Sequence, residues 1–445
     1  MSIKHNGGVA QFSVNSPEFE ELRYQIYGEL RETEPVFWHE ETDSWFITRY
    51  EDVSKLLVGE RFITSRLVPA KMEIVPEGER AEFSDIIDII STWMVYNDRP
   101  RHAELRGHMN RAFLSAEIAL IQPEIAKIVS EQLDDVLLRN GTEFDFVTEV
   151  AHPIPALVLC KMLGIPGDEV KRFIQWSDDI AAFMQDFVVS PVPDREISAQ
   201  TRQSMREIVA YLTDAIAERR AAPKNDLLSR LISEQPGEGG QLRDSEVMTQ
   251  VIHLIFGGHK IPQFLLSNCL HLLFRTPDAL AAVKADPEKL LTPAVEEGIR
   301  LEGPTQFITR HAAEDVEVHG KTIKKGDSVY FYLGAAGRDP NAFEEPEAFR
   351  LDRAGRRHLG FGGGYHACIA AAFSRVEVEE VLKGVLARVP DIRPRYDLDN
   401  PRWTSNPTFH GILDMPVSVA APDAQSGAGD AQSGAGTSPA VGAGQ

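Results

Sequence analysis

The chain has 445 residues, of which 43% are hydrophobic and 25% charged, so it can bury a sizeable core. Its net charge of −21 at pH 7 would repel nucleic acid phosphates and acidic membrane surfaces, so we expect neither as a partner. No N-terminal signal segment is apparent, and no uninterrupted apolar window of about 18 residues occurs elsewhere. Composition therefore predicts a soluble, cytoplasmic protein without a membrane span.

The predicted elements begin with two short strands and a helix over residues 35–57. From about residue 102 to 275 the pattern is dominated by helical periodicity. The longest helix is predicted from Ser245 to Arg275, because Asp244 or Ser245 can cap its start and a Thr-Pro pair ends it. Its middle is apolar nearly all round, which indicates a buried central helix.

Beyond the long helix the pattern becomes mixed. A short helix is predicted over Thr292–Leu301, followed by strand-like pieces at 311–333 and a proline-rich stretch without periodicity at 337–355. A further helix is predicted after the glycine-rich segment 359–370. We therefore predict a mainly α (α+β) fold with a minor β portion, formed by one large domain over residues 1–420.

Residues 421–445 change in character, and the heptad DAQSGAG occurs there twice in tandem. Such a stretch offers few large apolar side chains to offset the entropy of ordering its backbone. We therefore predict that residues 421–445 form a disordered Ala/Gly/Ser-rich tail.

The three cysteines are too few for a disulfide framework, so a reducing compartment is expected. Cys160 and Cys269 lie in apolar helical runs and are predicted core residues. Cys368 follows three consecutive glycines and precedes a helix, whose N-terminus stabilises a thiolate. No nearby second cysteine suggests zinc and no His/Asn arrangement suggests a hydrolase, which favours an axial thiolate to heme iron. A buried cysteine in a glycine turn is the alternative.

The segment FGGGYHACIA, from Phe361 to Ala370, resembles the heme-binding loop of the cytochromes P450, whose pattern is Phe-x-x-Gly-x-His/Arg-x-Cys-x-Gly. Ala370 replaces the usual last glycine, and a small side chain is compatible with the loop. The resemblance implies a heme b cofactor, with Cys368 as the metal ligand and Phe361 and His366 as cofactor-binding residues. It covers about residues 15–419 and implies the cytochrome P450 fold.

Two other segments resemble the family in the same order along the chain. Glu297-Gly-Ile-Arg300 resembles its Glu-x-x-Arg pair, one helical turn apart, with an implied structural role. The segment from Pro346 to Arg350 resembles the meander that joins this pair. On its own, Glu-x-x-Arg is a common surface pair.

Basic residues match the family's contacts to the heme propionates. His102 and Arg106, four residues apart on one helix, match the donors to one propionate. Arg310 matches the donor to the other, with His366 assisting. Guanidinium and imidazole donors suit buried carboxylates, whereas the alternative is that these residues are ordinary solvated charges.

The long helix departs from the family pattern Ala/Gly-Gly-x-Asp/Glu-Thr, in which the acid and the alcohol relay protons. The corresponding residues here are Gly257, Gly258, His259, Lys260 and Ile261. The two glycines are expected to keep the space above the heme open. Lys260 stands at the acid position, and Ile261 stands at the alcohol position, where its side chain cannot relay a proton.

The residues at and beside the missing acid–alcohol pair raise further possibilities. His259 is a candidate catalytic residue because an imidazole can donate and accept protons near neutral pH; the alternative is a side chain directed away from the heme. Pro262 lacks an N–H and would leave the Gly258 carbonyl without its helical donor. Lys260 either reaches the pocket or extends to the surface.

The resemblance implies a heme-thiolate oxidoreductase, a monooxygenase or oxidative tailoring enzyme acting on a small to medium, largely apolar or aromatic secondary metabolite. Loss of the acid–alcohol pair leaves open an oxygen-independent or peroxide-driven reaction, such as dehydration, isomerisation, cyclisation or nitrene-type transfer. A non-catalytic heme sensor or electron carrier is the alternative from another class.

Electrons would come from a separate ferredoxin and ferredoxin reductase, and we expect a monomer. Arg353, Arg356 and Arg357 form a predicted basic spot for such a partner, with a solvated charge run as the alternative. Residues Met72–Val95 and Phe173–Val189 are predicted to cover the distal pocket. Candidate ligand contacts, which could equally be core residues, are Phe183, Met184, Phe187, Phe307, Ile308 and the pair Thr408–Phe409.

Overall fold

The structure is a computed structural model that describes residues 12–110, 113–233 and 242–420. The tail at 421–445 lies outside the described residues, so its disorder stays a prediction. Across the part of the chain that is described, no helix is long and apolar enough to cross a membrane.

Helices account for most of the described chain. In chain order the α-helices are Pro17–Thr33 (α1), Tyr50–Leu56 (α2), Leu67–Ile74 (α3), Ser84–Ile90 (α4), Arg101–Asn110 (α5), Ser115–Asn140 (α6), Pro153–Leu163 (α7), Val170–Val189 (α8), Arg195–Ala221 (α9), Leu227–Ser233 (α10), Asp244–Arg275 (α11), Pro277–Ala285 (α12), Pro287–Glu302 (α13), Leu333–Gly337 (α14) and Ala371–Arg388 (α15).

The strands are short and form a minor part of the fold. They are Val36–His39 (β1), Ser44–Ile47 (β2), Phe62–Ile63 (β3), Glu143–Asp145 (β4), Phe307–Ala312 (β5), Val316–Val318 (β6), Lys321–Ile323 (β7), Ser328–Tyr332 (β8), Arg393–Pro394 (β9) and Pro416–Ser418 (β10). The largest sheet has the order β1-β2-β8-β5-β3, in which β2 and β8 run parallel and the other pairs antiparallel. A three-stranded sheet, β4-β10-β9, and the hairpin β6-β7 complete the β portion.

Helix α11 occupies the centre of the fold, as its apolar sequence predicted. At about 1.5 Å per residue its 32 residues extend roughly 48 Å. Its C-terminal half, including Leu270 and Leu273, packs in a core with α6, α13 and α15. Its N-terminal half, including Val251 and Ile255, packs in a second core with α7, α8 and α9. The residues between these halves, around Gly257, border the cavity described below.

The element predictions hold for most of the chain. The two strands and the helix expected at 35–57 are β1, β2 and α2, and the mainly helical α+β class is confirmed. The predicted start of the short helix at Thr292 was wrong, because α13 begins five residues earlier at Pro287. Proline is favourable at a first helical position, where its missing N–H has no helical acceptor.

Candidate active site

A cavity of about 330 Å³ lies between α11 and the glycine-rich loop at 359–370. This loop and helix meet there because α11 packs directly on α15, which follows the loop. Eight of the nine predicted site residues line the cavity. They are His102, Arg106, Gly257, Gly258, Arg310, Phe361, His366 and Cys368.

The glycine-rich loop needs its glycines for backbone geometry. Gly364 has φ +66°, and a Cβ there would lie 2.1 Å from the Leu57 carbonyl oxygen, so a side chain is excluded. The Cys368 amide then donates to the Phe361 carbonyl at 2.9 Å, which closes the loop on itself. The loop thereby fixes the cysteine backbone just before α15 begins.

Cys368 differs from the other two cysteines in its surroundings. Cys160 and Cys269 are buried in apolar cores, where burial raises both pKa values, that of Cys160 to about 12. Cys368 instead exposes its thiol surface to the cavity. Burial beneath the cavity raises the pKa of Cys368, while the Ala370 amide and the Arg106 guanidinium lower it. A bound metal ion would deprotonate such a thiol outright.

Four basic side chains collect at one side of the cavity: His102, Arg106, Arg310 and His366. The ring centroids of His102 and His366 are 4.2 Å apart. Burial, reinforced by neighbouring positive groups, lowers the pKa of His102 to about 3. Burial also lowers the pKa of Arg310 to about 10, and it depresses the pKa values of Arg106 and His366.

Asp98 offsets part of this positive charge. Its carboxylate lies 3.7 Å from His366 Nε2 and accepts a hydrogen bond from the Tyr365 hydroxyl at 3.1 Å. Burial raises the pKa of Asp98, but the nearby His366 and hydrogen bonds from the Ser65 and Thr64 amides outweigh burial and hold that pKa well below its usual range. Asp98 acts electrostatically on His102, His366 and Arg310, whereas Arg106 has no carboxylate partner among the described residues, so the cluster has capacity for further negative charge.

Two polar groups of the cluster lack the partners that buried groups normally have. His102 Nε2 is buried without a hydrogen-bond partner among the described residues. Arg310 is 7% exposed, and among the described residues its guanidinium donates only to the carbonyl of its neighbour Thr309, from Nη1 at 2.8 Å. The chemistry of these donors fits the two carboxylates of a heme, and Cys368 would supply a thiolate to its iron. The residues present are therefore compatible with a thiolate-ligated heme.

The cavity face of α11 is open and apolar near its midpoint. A Cβ at Gly257 would meet no atom within 4 Å, so the glycine leaves space. Ile261 and Pro262 line the same wall, and Ile261 presents hydrocarbon at the position of the family's alcohol. Because Pro262 has no N–H, the Gly258 carbonyl lacks its helical donor.

The structure does not bring His259 to the cavity, which corrects the expectation that it is catalytic. Its Nδ1 lies 2.9 Å from the Ser177 hydroxyl, and its Nε2 lies 2.9 Å from the His152 carbonyl. Burial lowers the pKa of His259 to about 3, so the neutral ring donates to the carbonyl and accepts from the hydroxyl. Both nitrogens are therefore engaged in holding α11 against its neighbours.

Lys260 also points away from the cavity. Its Nζ lies 2.8 Å from Asp178 Oδ1 on α8, and its side chain is 19% exposed. At about 100° per residue, positions 257, 258, 261 and 262 share one helix face, whereas 259 and 260 lie on the other. Helical periodicity can be read from the sequence, and it could have excluded His259 from the cavity.

The predicted Glu-x-x-Arg pair is buried and structural. Glu297 makes two hydrogen bonds with Arg300, at 2.7 and 2.8 Å, and both residues are at most 3% exposed. The meander joins through the Arg350 backbone N–H at 3.0 Å and the Arg353 guanidinium at 2.8 Å. Arg353 is thus part of this network and does not belong to the predicted basic spot, whereas Arg356 is exposed.

The sequence analysis did not predict two residues of the cavity, and it left several others open as either ligand contacts or core residues. Gln250 and His253 were missed, although they lie on the Gly257 face of α11 at helical spacing. Of the candidate contacts, Ile308 and Phe409 line the cavity. The remaining aromatic and methionine candidates are core residues: Phe183, Met184, Phe187 and Phe307.

The chain belongs to the cytochrome P450 family, whose profile, described as Cytochrome P450, matches residues 35–389. It is 32% identical over 404 residues to 6-deoxyerythronolide B hydroxylase of Saccharopolyspora erythraea, covering 89% of this chain and 96% of the relative. It is 31% identical over 399 residues to mycinamicin IV hydroxylase/epoxidase of Micromonospora griseorubida, covering 88% of this chain and 94% of that relative.

A solved structure of the Bacillus subtilis bacillaene polyketide synthase cytochrome P450 PksS superposes with a TM-score of 0.80 at 29% identity, covering 92% of this chain and 100% of that one. Together with the family match, this assigns the mainly helical cytochrome P450 fold. The protein is a heme-thiolate oxidoreductase of the monooxygenase type.

Proposed function

We propose that the protein is a heme b monooxygenase that oxidises a small to medium, largely apolar or aromatic secondary metabolite. The observation that carries this proposal is a cavity with a thiol on one side and apolar side chains of α11 and neighbouring loops on the other. Two relatives are, by their names, a hydroxylase of 6-deoxyerythronolide B and a hydroxylase/epoxidase of mycinamicin IV, which supports a substrate from secondary metabolism.

The cavity residues divide into those that would hold the heme and those that would contact the substrate. Cys368 would hold the iron, and His102, Arg106, Arg310 and His366 would hold the carboxylates. When bound, the heme supplies the activation of oxygen. Gly257 leaves space for the substrate beside it, and the apolar lining excludes water and orients the substrate by shape.

A second candidate is an oxygen-independent or peroxide-driven reaction on the same site. It is favoured by Ile261, which lines the cavity where a hydroxyl would relay a proton. Lys260, paired with Asp178, offers no replacement. In the monooxygenase reaction, the proton must come from an ordered water or from the substrate.

A separate ferredoxin and ferredoxin reductase are the proposed electron donors, and the protein is proposed to act as a monomer. Arg356 and Arg357 are exposed shortly before the glycine-rich loop and suit an acidic partner. Loss of turnover in Arg356→Glu/Arg357→Glu with a surrogate ferredoxin, together with retained peroxide-driven turnover, would support this docking site.

Spectroscopy of the heme-loaded protein tests the core of the proposal. The wild type should show a Soret band and the red-shifted ferrous–CO adduct of a thiolate ligand. Cys368→Ser should abolish that shift, whereas the matched controls Cys160→Ala and Cys269→Ala should retain it. A missing shift in the wild type would overturn the assignment.

Turnover under three conditions separates the candidate reactions. These are oxygen with a surrogate ferredoxin pair, peroxide alone, and anaerobic buffer without oxidant or reductant. Strict dependence on oxygen and electrons supports the monooxygenase, and product in the third condition supports the oxygen-independent reaction. A heme-loaded protein that turns over no substrate in any condition would be a sensor or carrier.

A further inference from the structure

His253 is a polar side chain in the apolar part of the cavity. It lies on α11 four residues before Gly257, so the two share a helix face, and both line the cavity. Neither of its ring nitrogens has a hydrogen-bond partner among the described residues, and its partial exposure is to the cavity. Because the ring opens to the cavity and has no protein partner, a polar atom of a ligand in the cavity can hydrogen-bond to it.

The His253 ring is held in place by an adjacent aromatic side chain. Trp93 stacks on it with ring centroids 4.9 Å apart and an interplanar angle of 15°, and Trp93 is fully buried. The backbone on both sides of Trp93 is fixed by Gln250, which accepts from the Met94 amide and donates to the Thr92 carbonyl, both at 2.8 Å. Gln250 is thereby fully engaged, and the plane of the His253 ring is preorganised.

The charge state of His253 limits the ligand it can take. Burial lowers its pKa to about 4, so the ring is neutral at pH 7 and offers one N–H donor and one acceptor nitrogen. The cations of the cavity are the guanidiniums of Arg106 and Arg310, which suit carboxylates. A neutral carbonyl or hydroxyl therefore matches His253 better than a carboxylate does.

We propose that His253 is a specificity-determining residue that hydrogen-bonds a neutral carbonyl or hydroxyl on an otherwise apolar substrate. This inference rests on the proposed function, because it takes the cavity as the substrate pocket. A ligand without such a group leaves the imidazole unsatisfied, which is how a polar site rejects an apolar analogue. The contact also fixes which end of the substrate lies beside α11.

The test is the binding of three matched probes to the heme-loaded protein by calorimetry: 2-acetylnaphthalene, 2-ethylnaphthalene and 2-naphthoate. The wild type should bind the ketone about five- to tenfold more tightly than the hydrocarbon, the range of one neutral hydrogen bond. The carboxylate should bind more weakly than the ketone, because burial disfavours its charge.

Variants locate the effect. His253→Phe, which keeps a ring against Trp93, should bring the ketone-to-hydrocarbon ratio close to one, and His253→Gln should restore part of it. Thr305→Val, at another polar residue of the cavity wall, should leave the ratio unchanged. All variants should keep the red-shifted CO adduct, which shows that the heme site is intact.

The outcomes separate the two proposals. A ketone preference that survives His253→Phe, or a wild type without any preference, overturns the role of His253 alone. If the heme-loaded protein binds none of the three probes, the cavity is not a pocket for apolar aromatic ligands, and both proposals fail. Loss of the CO shift in the wild type contradicts the proposed function by itself.

Discussion

Lys260 Nζ lies 2.8 Å from Asp178 Oδ1, so an ion pair joins α11 to α8 at the position where the family pattern has an acid. His152 Nε2 reaches the same carboxylate, at 3.1 Å from each oxygen. Burial raises the pKa of Asp178, but the hydrogen bond from His152 and the charge of Lys260 hold it well below its usual range. Residue 260 therefore acts at a helix contact and not in the cavity.

Lys260→Glu is expected to cost about 1–3 kcal/mol of unfolding free energy, because it places two carboxylates against each other. Urea denaturation measures the loss. Lys260→Glu/Asp178→Lys should recover most of it by restoring an opposite-charge pair. Equal stability of Lys260→Glu and wild type would show that the pair does not form.

Ile261→Thr is expected to change the chemistry of the cavity, since it places a hydroxyl on the α11 wall of the cavity. Product formed per oxygen consumed, measured with a surrogate ferredoxin pair, should rise if the native enzyme depends on water for the proton. Ile261→Val, of similar shape and without a hydroxyl, is the matched control. A rise in product per oxygen in both variants would show that the added cavity space, and not proton relay by the hydroxyl, causes the effect.

Arg310→Leu should have opposite effects on the two forms of the protein. Without heme, burial disfavours the charge of Arg310 and lowers its pKa to about 10, so removing it should leave the unfolding free energy unchanged or raise it by about 1 kcal/mol. With heme, a carboxylate contact is lost, and heme affinity should fall about tenfold or more. Denaturation of both forms and heme transfer to an acceptor protein measure the two effects. An equal loss of unfolding free energy in the heme-free and heme-loaded forms would indicate that Arg310 contributes mainly through packing.

Glu297→Gln should destabilise the protein by about 3–5 kcal/mol, because two guanidiniums, Arg300 and Arg353, lose their shared buried carboxylate. Asp134→Asn removes the exposed pair with Arg388 and should cost less than about 1 kcal/mol. Comparison of the two variants by urea denaturation checks this contrast. A small effect for Glu297→Gln would mean that the network is not anchored by charge.

Acid should destabilise the protein from about pH 6.5 downward. Burial lowers the pKa of His253, His271 and His410 to about 4 and that of His259 to about 3. The unfolded state binds protons below its ordinary histidine pKa of about 6.5, whereas the folded state does not, so stability is full above that pH and falls toward pH 4. Each such histidine contributes a slope of up to about 1.4 kcal/mol per pH unit.

Denaturation of the heme-free protein at pH 7, 6 and 5 measures this slope. His271→Gln should reduce it by removing one titrating group, even if the variant is less stable overall at pH 7. An unchanged slope would indicate that His271 titrates alike in the folded and unfolded states.

Sequence motifs predicted eight of the nine site residues that the structure brings to one cavity, because they lie in local segments whose geometry follows from the segment itself. The loop before Cys368 needs glycine at positive φ, and the four-residue spacing of His102 and Arg106 defines one helix face. The same periodicity, applied to α11, separates Ile261 from His259.

Contacts between distant segments could not be read in this way. Lys260 and Asp178 are 82 residues apart, and the Trp93–His253 stack joins segments 160 residues apart, so neither follows from local spacing. Arg353 was predicted to be a surface charge like Arg356, since nothing in the local sequence distinguishes the one side chain that is directed into the protein. Tertiary packing decides which arginine is buried.

The carboxylate of Glu297 has a consequence for the assembly of the holoprotein. It holds the Arg353 side chain fifteen residues before Cys368, and the loop itself is closed by the Cys368 amide on the Phe361 carbonyl, so contacts within the protein fix both segments. The binding loop therefore does not need the cofactor as a template. Heme loading then resembles docking to a preformed surface, and its rate should depend weakly on denaturant concentration below the unfolding transition.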